Sequence, residues 1–144
     1  MKDVKFLAIF AGSVVAMVGS LASGLVLGII LIIYHVSQGT PLKDMSSVMD
    51  QKHLSNSMPL LVCSLGLGGF FCLVGGFVTG WMAKVSPMKN GLLMGVLSTL
   101  LTVFFWSYYP AWFNVVGSVF TIGPAMAGGY LAQVFLSRRQ PKSV

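Results

Sequence analysis

The chain has 144 residues, 56% hydrophobic and only 8% charged, with a mean hydropathy of +0.86, whereas an ordinary soluble domain is about a quarter charged. Nine Lys and Arg residues stand against three Asp and no Glu, a formal net charge of +6. These figures exclude a typical soluble globular domain, and basic residues at the ends of apolar runs, with no arginine-rich segment or long basic face, argue against nucleic acid as a partner. The composition describes an all-α integral membrane protein of one domain, residues 1–144, whose first partner is the lipid bilayer.

After the short basic start Met1–Lys5, an uncharged run extends from Phe6 to Tyr34. Ser20-Leu21-Ala22 loosely resembles a signal cleavage site, but the apolar run continues for twelve residues beyond it, too long for a signal core. The run therefore predicts a first membrane helix over about 6–34, long enough to tilt or protrude. Small residues recur along it at intervals of four: Ala8, Gly12, Ala16, Ser20, Gly24 and Gly28.

Residues 36–57 form the one sizeable polar loop. Thr40-Pro41 is a helix start, and Leu42, Met45, Val48 and Met49 recur at helical spacing, which predicts a short amphipathic helix lying at the membrane interface. Met45, Met49 and His53 fall at i, i+4 and i+8, soft ligands that could hold Cu(I). The same methionines supply the apolar face such a helix needs to lie on a bilayer, and that simpler reading is preferred; no metal or cofactor is expected.

The second predicted span, about 59–82, contains Ser64, Gly68, Cys72, Gly76 and Gly80 in a row of small residues. In lipid, helices associate by close van der Waals packing, so such a row reads as a docking seam. Its expected partner is the first span, through Ser20, Gly24 and Gly28. Cys63 and Cys72 lie on opposite faces, ~13 Å apart along the axis, and cannot pair. A tight turn at Val85-Ser86-Pro87 leads to a third span, about 88–108, with Gly91, Gly95 and Thr99 in its own row and an aromatic end from Phe104 to Tyr109. The fourth, about 111–136, carries Gly117, Thr121, Ala125 and Gly129. Pro124 inside it removes a backbone donor and frees the carbonyl near Phe120, so a kink is expected there. Asn114 and Gln133 are given no role beyond interhelical hydrogen bonding.

Placing the N-terminus in the cytoplasm puts Lys2, Lys5, Lys84, Lys89, Arg138, Arg139 and Lys142 on that side, against Lys43 and Lys52 outside, a clear positive-inside bias. The expected architecture is four transmembrane helices in two hairpins plus the interfacial helix, in a membrane of the bacterial inner type, with both termini cytoplasmic. A weak echo, Gly75-Gly76-Phe77 against Gly128-Gly129-Tyr130, is compatible with a parallel repeat or with chance in low-complexity apolar sequence.

No predicted span carries Asp, Glu, Lys or Arg between its ends, and such groups are the usual mark of proton relays, ion pathways and intramembrane active sites. No nucleophile has a base beside it, and no Gly-rich segment fits a phosphate loop. The expectation is a non-enzymatic protein acting through helix packing, as an accessory subunit or a homo-oligomer. The alternative is a channel or carrier for a small neutral solute, which needs convergent polar groups where a seam needs none.

Overall fold

A long uncharged run satisfies its own backbone as a helix, and the described apolar runs are helical. A computed structural model describes residues 4–39, 58–103 and 110–139. Among them are four helices and no strand: α1 (Phe6–Ser37), α2 (Met58–Ala83), α3 (Pro87–Val103) and α4 (Ala111–Arg139). Three of them, α1, α2 and α4, are long and apolar enough to cross a membrane. The interfacial helix expected around Met45, Met49 and His53, and the aromatic end of the third span at 104–109, lie outside the described residues.

α1 is longer than the sequence predicts, running three residues past Tyr34. Nothing in His35-Val36-Ser37 opposes a helix, and the stop comes only at Gly39, whose φ of 81° is the left-handed conformation that ends helices. At ~1.5 Å per residue its 32 residues span ~48 Å, well beyond a hydrocarbon core.

α2 is the centre of the bundle. It packs against each of the others, most extensively against α4, while α1 and α4 hardly touch. Neighbouring positions give the directions. Gly12 meets Gly75 and Thr79 while Gly19 meets Phe71, so α1 and α2 are antiparallel; Gly69 meets Phe120 and Pro124 while Gly80 meets Gly129 and Ala132, so α2 and α4 are parallel. α3 runs back between them, Gly91 facing Ala125 and Gly129, and Gly95 facing Ile122 and Ala125.

The buried core sits toward the end where the N-terminus, the α2–α3 turn and the C-terminal part of α4 meet, here called the basic end. Ile9, Ala16, Cys72, Met94 and Ala125 form it. Elsewhere the surface is strongly apolar: Leu7 and Leu25 are 76% and 71% exposed, and every helix presents large aliphatic or aromatic side chains outward. An apolar exterior around a small core of glycine, alanine and methionine suits a lipid solvent, in which side chains gain little from hiding.

Candidate functional site

Glycine pairs build the contacts of α2 and α4. Adjacent residues on a helix point ~100° apart, so a Gly-Gly doublet opens two neighbouring faces at once. Gly75 faces α1: a Cβ there would stand 2.6 Å from the Gly12 carbonyl oxygen and 2.7 Å from Met94 Cε. Gly76 faces α4, its place for a Cβ being occupied by the backbone of Ala125. In α4 the doublet divides in the same way. Gly128 lies on the α2 backbone at Leu73 and Phe77, and Gly129 on α3 at Pro87, Met88 and Gly91. Thr79, fully buried beside Gly12, donates its hydroxyl hydrogen to the Gly75 carbonyl at 2.9 Å.

The small-residue rows are thus divided between contact and open space. Gly12, Ala16, Cys72, Gly76, Gly80, Gly91, Gly95, Ala125 and Gly129 are buried, Cys72 beside Thr121. Gly24 and Gly68 have no atom within 4 Å of a would-be Cβ; Ser20 is exposed, Gly28 half-buried, and Gly117 meets only Leu65 at 3.6 Å. The expected pairing of the Gly68–Gly80 row with Ser20, Gly24 and Gly28 does not occur. Gly76 and Gly80 of that row lie against Ala125, Gly129 and Ala132 of α4, and α1 meets α2 nearer its N-terminus, through Gly12, Ala16 and Gly19. The reason is geometric: the backbones of α1 and α2 approach closely at Gly12 and Gly75, whereas Gly24, further along α1, has nothing within 4 Å of a would-be Cβ. α4 continues helical through Pro124, and the Phe120 carbonyl released by that proline lies against Gly69, 3.3 Å from where a Cβ would stand.

Among the described residues a polar cluster lies at the basic end, and the sequence reading missed it. The α2–α3 turn holds two non-glycine residues at positive φ, Lys84 at 56° and Ser86 at 46°. Such conformations cost of order 1–2 kcal/mol each in a free chain. Asn90, fully buried in the first turn of α3, holds that turn: its amide nitrogen donates to the carbonyls of Val85 (3.0 Å) and Ser86 (3.1 Å), and its amide oxygen accepts the backbone N–H of Lys5 at 3.0 Å. One side chain therefore joins α1, the turn and α3. The available signal was an Asn beside Lys89 in the first turn after Ser86-Pro87, just before the apolar run of α3.

Among the described residues no group of three or more His, Cys, Asp or Glu could hold a metal ion. Cys63 is exposed and Cys72 buried, both as free thiols. No protein-family model, no curated protein and no solved structure matches this chain.

Proposed function

We infer that this chain is a non-enzymatic membrane protein that crosses the bilayer four times and acts by helix packing, as a subunit of a homo-oligomer or an accessory to another membrane protein. The supporting observation is the contrast along α1. Its Gly12 and Gly19 are packed against α2, whereas Gly24, in the same kind of row with Ser20, faces open space on a stretch where most residues are exposed. Small residues bring nothing to a lipid-facing surface, but allow a second backbone to approach. Direction supports four crossings: α2 and α4 are parallel and each is long enough to span, and α3, running antiparallel to α4, is the segment available to return the chain across.

The hydroxyl groups favour a seam over a solute path. Ser23, Ser64, Thr79, Thr99, Ser118 and Thr121 each donate to a carbonyl of their own helix three or four residues back, so their hydrogens are turned away from any lumen.

In a Cys63→Ser background, Gly24→Cys should form a disulfide-linked dimer, or a heavier adduct with a second protein, when native membranes are oxidised. Gly24→Leu should release that partner during purification in mild detergent while leaving the chain folded. A chain that is monomeric and alone in both experiments would remove this reading. The basic residues further support cytoplasmic termini in a membrane of the bacterial inner type. A reporter fused after Val144 should then be active in the cytoplasm, and Ser47→Cys should be labelled by an impermeant maleimide from outside. Labelling at position 47 only after permeabilisation reverses the orientation.

A further inference from the structure

At the basic end the α2–α3 turn and the last turns of α4 border an open groove of about 490 Å³, lined by Lys84, Ser86, Lys89, Gln133, Leu136 and their neighbours. Its volume falls within the ~300–1,000 Å³ common for small-molecule sites, although it lies open and not enclosed. Its described lining carries charge of one sign only. The three Asp fall at positions 3, 44 and 50, outside the described residues, and no described residue carries a carboxylate side chain to neutralise Lys84 or Lys89. Two ammonium groups, the Gln133 amide and the Ser86 hydroxyl make a donor-rich lining that suits an oxygen anion. The first turn of α3, at Met88 and Lys89, adds a smaller effect of the same sign.

A second hollow, about 270 Å³ and lined by Trp81, Met82 and Lys84, shares Lys84 with the first. It is almost wholly apolar, whereas the groove is lined by polar and apolar groups alike. Trp81 is half exposed, one turn before Lys84, an arrangement common at the headgroup level of a bilayer. A free anion would fill only the polar side of this pair. An amphiphile with a charged head and acyl chains would fill both.

We propose that the groove binds the phosphate of an anionic lipid headgroup. Lys84 and Lys89 pair with its charge, Gln133 and Ser86 hydrogen-bond its oxygens, and the acyl-glycerol portion lies along Trp81 and Met82. The lipid thereby ties the α2–α3 turn to α4, a role separate from any partnership through Gly24.

The test uses the full chain in a neutral detergent, titrated with phosphatidylglycerol, phosphatidylcholine or inorganic phosphate, with bound lipid counted by native mass spectrometry and unfolding followed thermally. Phosphatidylglycerol should bind and raise the unfolding temperature, and phosphatidylcholine should do neither. Lys84→Gln and Lys89→Gln should each weaken phosphatidylglycerol binding about fivefold, the effect of one basic side chain at an anionic headgroup. Gln133→Leu, which changes no charge, should weaken it about threefold through the lost hydrogen bond. Lys5→Gln, an exposed lysine outside the groove, should leave it unchanged. Unfolding temperatures without lipid serve as the folding control, and because Lys89 and Gln133 are both exposed, either variant alone decides the matter. Equal binding of phosphatidylcholine overturns the proposal, as does a Lys5→Gln effect equal to that of Lys89→Gln. Displacement of the lipid by millimolar inorganic phosphate, with the same gain in stability, overturns the lipid assignment.

Discussion

Gly76→Leu should destabilise the chain in detergent by about 3 kcal/mol, at the upper end of the range for overpacked cores. The obstacle decides the size. Where a Cβ at position 76 would stand, the structure has the Ala125 carbonyl of α4, and backbone cannot rotate aside as a flexible side chain does. Relief requires moving α4 away from α2, which also loosens Gly80 from Ala132 and Gly128 from Leu73. Even Gly76→Ala should be measurably worse than the parent. Gly68→Leu is the informative companion, being two turns away in the same row with nothing within 4 Å, and should be neutral or slightly stabilising through better helix propensity. Reversible unfolding in mixed micelles, followed by circular dichroism, measures all three. Equal effects at positions 68 and 76 would show that the α2–α4 contact is not the close seam described here.

Asn90→Leu should cost about 2 kcal/mol, the loss expected when partly buried backbone groups are left without partners. Two such groups are affected, the carbonyl of Val85 and the N–H of Lys5, while the Ser86 carbonyl keeps the backbone N–H of Asn90. Leucine has the same branched heavy-atom outline and is larger, so no cavity is opened. Asn90→Asp divides the effect, since a carboxylate still accepts from Lys5 but an ionised one donates to neither carbonyl. The strained turn supplies a second check. Ser86→Gly removes the penalty of a positive φ and should restore about 1 kcal/mol to the Asn90→Leu chain, because glycine adopts the left-handed region freely. If Asn90→Leu unfolds at the parent's temperature, Asn90 does not hold the turn.

What the sequence could show depends on range. The helices were legible because hydropathy and span length are local properties: the second span, expected over 59–82, is helical over Met58–Ala83, and Pro87 opens the next helix after the predicted turn. The helix ends were less legible where no breaker stood at the expected limit, as at Tyr34, beyond which α1 continues to Ser37.

The glycine rows were visible too, but counting by fours from Ser64 selects one face of α2 and passes over the face beginning one residue earlier. Gly75 and Thr79 carry the contact with α1, while Gly76 and Gly80 face α4. Nothing within α2 distinguishes the two, since a small residue states only that a backbone can approach and not which backbone does. Asn90 was hidden for the same reason. Its partners are Lys5, 85 residues away in the chain, and two carbonyls exposed by the positive φ values of the turn, and neither exists as a pattern along the sequence. Spacing within each helix thus determined the helices, their apolar surfaces and the faces open to close packing. Only the tertiary structure decided which faces meet, because in an apolar solvent the choice rests on short-range backbone fit between segments far apart in the chain.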